Sequence, residues 1–159
     1  MSVLVSLLSI TLLTVVDQII KLIVQNNLQP IGSAPFLDGV VGWHYLRNTG
    51  AAFGMLSDST IILSVFTALV LIVAIFLIVS KKITNKFYLF CTVLMVSGGL
   101  GNLIDRIFRH YVVDYIEVQF MNFAIFNFAD ILVTVGAFAL IIYLIVDIFR
   151  ERKNGEKSE

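Results

Sequence analysis

Apolar residues fill four long runs of the chain, roughly Val3 to Val24, Thr60 to Ser80, Phe87 to Ile104 and Phe128 to Phe149. About 20 mostly apolar residues, rising 1.5 Å each, cross a ~30 Å hydrocarbon layer, so each run predicts a membrane-spanning helix. Asp17 and Lys21 interrupt the first. Between the first two runs, "PIGSAPFLDG" carries both prolines and predicts a turn, and "VVGWHYLRN" predicts a strand. After the third run, "YVVDYIEVQF" and "FAIFNF", separated by "MN", predict two more short strands. The expected fold is an all-α membrane protein, four transmembrane helices with a small β-structured cap on the outer face. Residues 1–150 form one domain, and a charged, disordered cytoplasmic tail covers 151–159.

Lysine and arginine placement gives the orientation. Lys81, Lys82 and Lys86 crowd the second connection, and Arg150, Arg152, Lys153 and Lys157 follow the last run. Cationic flanks stay on the cytoplasmic side, which places both termini there and turns the loops at about 25–59 and 105–127 outward. "MSVLVSLLSITLLTVV" lacks the basic flank and cleavage site of a signal peptide and is expected to be a retained helix. Composition agrees: 58% of residues are apolar and 14% charged, where soluble domains carry about 25% charge. Formal net charge is zero, so no basic surplus points to nucleic acid. The lone Cys91 has no partner for an intrachain disulfide.

This topology gathers polar residues at the outer surface. Asp17 and Lys21 fall in the outer part of the first helix, Asn48 follows a strand, Asn102, Asp105 and Arg106 end the third helix, and Asn127 and Asp130 begin the fourth. Spacings of three and four put each helical set on one face. Ionisable groups at such depths are costly unless paired or hydrated. Between Met1 and Val16, Ile61 and Ser80, Phe87 and Leu103, or Ile131 and Val146 there is no Asp, Glu, Lys, Arg or His, which argues against an ion conduit.

His44 and His110 stand alone, with no second ligand at metal spacing, so neither a metal nor a cofactor is expected. No serine nucleophile motif is evident. Carboxylates remain: Asp17, Asp105, Asp114 and Asp130. Two close carboxyls share one proton, and such a pair can activate water while donating to a carbonyl. Structural roles compete with this. Asp105 can pair with Arg106 and Arg109, Asp17 with Lys21, and Asn127 with Asp130 can cap the last helix, while the glycines of "SGGLGN" suit close helix packing. Spacing alone favours these structural roles.

The motifs "DQIIK", "RNTGAAFG", "GNLIDR" with "VVDYI", and "FNFAD" occur in series between Asp17 and Asp130. Together they resemble the signal peptidase II family of bacterial membrane endopeptidases. The resemblance implies an aspartic endopeptidase that removes signal peptides from prolipoproteins, cutting before a diacylglyceryl-modified cysteine. It makes Asp114 and Asp130 the catalytic pair. It gives Asp17, Lys21, Asn48, Gly50, Ala51, Asn102, Asp105, Arg106 and Asn127 to substrate placement or site support. It also implies a monomer in the bacterial cytoplasmic membrane with its site at the outer face, lipid-modified prolipoproteins and membrane lipid as partners, and inhibition by globomycin. A small transporter and a non-enzymatic assembly factor are the alternatives.

Overall fold

The computed structural model describes residues 2–50 and 60–155; Ala51 lies outside the described residues. Seven elements follow in order: α1 (Val3–Asn27), β1 (Ser33–Leu37), β2 (Val41–Asn48), α2 (Thr60–Val79), α3 (Lys86–Phe108), β3 (Val112–Val118) and α4 (Phe128–Gly155). Among the described residues four helices are long and apolar enough to cross a membrane, the fourth over Phe128–Arg150. Beyond that span α4 runs on to Gly155, into a segment whose charge density alone predicts disorder.

The cap is an antiparallel sheet in the order β1-β2-β3. Two of its strands match expectation and the third does not. The proline-bearing "SAPFL" forms β1, with Pro35 opposite Gly42. Proline is tolerated because β1 is an edge strand, which has one side free of ladder partners. "FAIFNF" contributes only the isolated bridge Ile116↔Phe126. Asn127 follows at once and starts α4, so the chain leaves the sheet after a single pairing.

The sheet's inner side rests on the bundle. Val113 and Tyr115 are buried with Leu28, the residue that caps the end of α1, and Trp43, Tyr45, Ile20, Val24 and Phe128 pack around them. Helix α3 lies at the centre of the bundle and packs against the other three helices. In lipid, apolar burial gives helices little reason to associate, so close approach at small residues must do so. A Cβ on Gly98 would collide with the Ala129 carbonyl, and one on Gly136 would crowd Met95 and the Cys91 carbonyl. Gly101 faces α1 instead, and a Cβ there would collide with Asp17 Oδ2. The glycines are therefore packing residues, and Gly101 opens room for a carboxylate.

Candidate active site

The sheet, α2, α3 and α4 enclose a cleft of about 770 Å³. Asn48, Asn102, Arg106, Asp114 and Asp130 line its polar end, and apolar side chains continue it down to Ala74 and Leu140. Asp17, Lys21, Asp105 and Asn127 lie buried outside this lining. The residues singled out in the sequence thus divide into a group facing the cleft and a group supporting it from behind.

Asp114 stands on β3 opposite Leu46, and Asp130 in the first turn of α4. Two asparagines join them. Asn127 Nδ2 donates to Asp114 Oδ1 at 2.6 Å and to Asn102 Oδ1 at 3.2 Å, while Asn102 Nδ2 donates to Asp130 Oδ1 at 2.7 Å. Asn48 Nδ2 holds the other Asp114 oxygen at 2.9 Å, and Asn48 Oδ1 accepts from the Gly50 amide. Neutral amides fix both carboxyls without adding charge. Burial first, and then the charge of Asp130, pushes the Asp114 carboxyl up from the usual 3.8 to about 7, against the donors Asn48 and Asn127 and the charge of Lys21.

The start of α4 leaves no donor idle. The first four amides of a helix have no intrahelical acceptor. Here Asn127 N donates to Asp130 Oδ2, Phe128 N to the Tyr115 hydroxyl, Ala129 N to Asp17 Oδ1, and Asp130 N to Asn127 Oδ1. Asn127 and Asp130 form a reciprocal capping pair. The structural role expected of "FNFAD" is real, and the same two side chains also face the neighbouring carboxyls of the site.

Behind the cleft, Lys21 is wholly buried. Its ammonium has three N–H donors and meets three acceptors: Asp17 Oδ2 at 2.9 Å, Asp105 Oδ2 at 3.0 Å and Asn102 Oδ1 at 2.9 Å. Asp105 also accepts from the Val113 amide at 3.1 Å, next to Asp114 in β3. Its other oxygen takes Arg109 and Gln18. Two carboxylates and two cations make the cluster neutral, which buried ions require.

The sequence suggests Arg106 or Arg109 as the partner of Asp105, with Arg106 bracing the helix end. In the structure the partner is Arg109, while Arg106 faces the cleft and, among the described residues, makes no ion pair. Gln18, Gln25 and Tyr115 were not picked out as site residues. Gln18 lies inside "DQIIK", so that motif could have flagged it; Gln25, which accepts from Arg109 Nε at 3.2 Å, left no signal. No group of His, Cys, Asp and Glu suited to a metal occurs among the described residues.

A family model described as signal peptidase (SPase) II matches residues 9–146. The chain is 40% identical over 137 residues to a lipoprotein signal peptidase of Streptococcus pyogenes serotype M2 (strain MGAS10270), covering 86% of this chain and 90% of that one. Its counterpart from serotype M5 (strain Manfredo) is 39% identical with the same coverage. A solved structure described as a bacterial membrane enzyme, obtained by the in meso method at 2.3 Å resolution, is similar at a TM-score of 0.81 and 31% identity. It covers 91% of this chain and 89% of that chain. A second, at 1.9 Å, gives a TM-score of 0.77, also at 31% identity, over 88% and 92%. By a family match that spans most of its length, the chain belongs to the signal peptidase II family.

Proposed function

We propose that Asp114 and Asp130 are the catalytic pair with which this multi-pass membrane peptidase removes signal peptides from prolipoproteins, cutting before a diacylglyceryl-modified cysteine. The observation that carries this is the asparagine bridge, which holds both carboxyls at the polar end of one cleft.

The pair shares one proton. Asp114, pushed up to about 7, holds it. Asp130, at the positive end of α4, takes a proton from water as the water oxygen attacks the scissile carbonyl carbon, and Asp114 gives its proton to the carbonyl oxygen. The resulting diol collapses as Asp130 passes its proton to the leaving nitrogen and Asp114 recovers one from a diol hydroxyl. The C–N bond breaks, leaving a carboxylic acid on the signal peptide and a free amine on the cysteine.

Asn48, Asn102 and Asn127 orient the carboxyls, and Gly50 holds Asn48. Asp17, Lys21 and Asp105 support the site from behind, and Arg106 faces the substrate from the cleft wall. Ala51 is assigned to substrate placement from its motif alone. The apolar length of the cleft suits the apolar segment of a signal peptide. From Asp130 to Leu140 it follows α4 for about 15 Å.

The site opens at the outer face and both termini are cytoplasmic. This rests on Lys81, Lys82 and Lys86 lying between α2 and α3, at the end of the bundle away from the cap. In this reading the enzyme acts as a monomer. Residues 1–150 act as one membrane domain and 151–159 as a cytoplasmic tail. Purified protein incubated with a lipidated prolipoprotein should yield a product whose N-terminus is the lipidated cysteine. No cleavage, or cleavage at another bond, overturns the assignment.

A further inference from the structure

Helix α3 starts at Lys86, and α4 passes it in the opposite direction: Ala129 meets Gly98, Gly136 meets Cys91 and Met95, and Tyr143 stacks on Phe87 with ring centroids 4.7 Å apart. Past Tyr143, α4 continues beyond the start of α3. The notch this leaves, at the end of the bundle away from the cap, is a groove of about 350 Å³. Phe87, Ala139, Ile142, Tyr143, Val146 and Arg150 line it. It shares no residue with the cleft.

The lining changes along its length. Ala139, Ile142 and Val146 give an apolar wall, and Arg150 ends it about 16 Å beyond Ala139 along α4. The membrane-spanning part of α4 also ends at Arg150, so the apolar wall lies at hydrocarbon depth and the guanidinium at headgroup depth. Arg150 is exposed and, among the described residues, has neither an ion pair nor a hydrogen bond. Tyr143 offers a second donor. Asn85 Nδ2 donates to its hydroxyl at 3.1 Å, and Phe87 and Tyr88 hold its ring. The hydroxyl oxygen is thereby used as an acceptor, while its own proton has no acceptor among the described residues.

Charge selects the ligand. Lys81 and Lys82 in the connection between α2 and α3, and Lys86 at the start of α3, stand at the same end as Arg150. Asp147, one turn before Arg150, opposes them from outside the lining and leaves that end positive. A basic pocket between membrane helices takes an anionic lipid head, and an apolar groove leading away from it takes the chain. A bare anion would leave the apolar wall empty, and a zwitterionic lipid would leave the surrounding cations unmatched.

We infer that this notch binds one anionic phospholipid, with its phosphate on Arg150, an ester carbonyl on the Tyr143 hydroxyl and an acyl chain along Ala139, Ile142 and Val146. In the orientation proposed above, the lipid belongs to the inner leaflet. The groove lies at the opposite end of the bundle from Asp114 and Asp130, so its lipid is independent of the peptidase reading.

Binding of phosphatidylglycerol to the detergent-solubilised protein, followed by native mass spectrometry, tests the site. One phosphatidylglycerol should be retained per chain, more tightly than phosphatidylcholine. Arg150→Gln should weaken its binding about tenfold, as expected for the loss of one charge-assisted hydrogen bond. Tyr143→Phe, which keeps the ring stack and removes the hydroxyl, should weaken it about fivefold, the loss of one ordinary hydrogen bond. Lys82→Gln removes a cation at the same end that lies over the Phe76 ring and outside the groove, and should weaken binding by less than either. Inorganic phosphate, which has the head chemistry and no chain, should leave the lipid in place.

Equal retention of phosphatidylcholine, or parental affinity in either groove variant, overturns the site. A loss in Lys82→Gln as large as that in Arg150→Gln also overturns it, by assigning the effect to the diffuse charge of the surface. Displacement by inorganic phosphate shows a bare anion site and overturns the lipid.

Discussion

Replacing Lys21 by methionine, of similar length and without charge, removes the centre of the buried cluster. Lys21 and both of its carboxylate partners are fully buried, so water cannot fill the gap. Asp17 and Asp105 would then face each other with only Arg109 to balance them, leaving one buried negative charge unmatched. Breaking a buried pair by removing one partner costs about 3–5 kcal/mol. For a chain of this size that is a fall in Tm of about 6–20 °C. Cys91, the chain's single cysteine and wholly buried, gives a direct assay through its labelling by a thiol-reactive dye on heating. Adding Asp17→Asn to Lys21→Met restores neutrality and keeps both the Asp105–Arg109 pair and an acceptor for the Ala129 amide. The double variant should recover most of the loss. A single variant within about 2 °C of the parent, or a double variant no better than the single, would refute the charge-balance reasoning.

Four further outcomes are expected. Because Asp114 is raised from 3.8 to about 7 in the fold, its contribution to stability is present below pH 4 and is lost as pH rises through 7; Tm should decline over that window, and Asp114→Asn should flatten the decline. The same value places a fall in kcat/KM above about pH 7, where the shared proton is lost, and a profile flat to pH 9 would contradict Asp114 as its holder. Gly101→Ala drives a methyl into Asp17 Oδ2 and should lower both Tm and cleavage, whereas His110→Gly, at a backbone φ of 65°, should raise Tm by relieving about 1 kcal/mol of left-handed strain.

The four spans were legible in the sequence because a membrane demands long apolar runs, and length alone identifies them. The β1 strand was not, because proline reads as a turn unless the strand is known to be an edge, which depends on its neighbours. Asp17 and Lys21 were visible as an i, i+4 pair, but the third acceptor on Lys21 comes from Asn102, 81 residues away. Spacing likewise could not choose between Arg106 and Arg109 for Asp105. The choice follows from which face of α3 meets α1, where Gln18 and Gln25 wait, and which meets the cleft. Asn127 and Asp130 show why local pattern undervalued the site: their capping role is genuine, and only the arrival of Asn102 and Asp114 gives them a second one.

The most direct test of the carboxyl pair is the cleavage rate of a lipidated prolipoprotein by Asp114→Asn and Asp130→Asn, each checked for folding by its Tm and compared with the parent in the same detergent. Both near-isosteric variants should fold and lose cleavage by several orders of magnitude. A folded variant of either kind that cleaves at the parental rate would contradict catalysis by the pair.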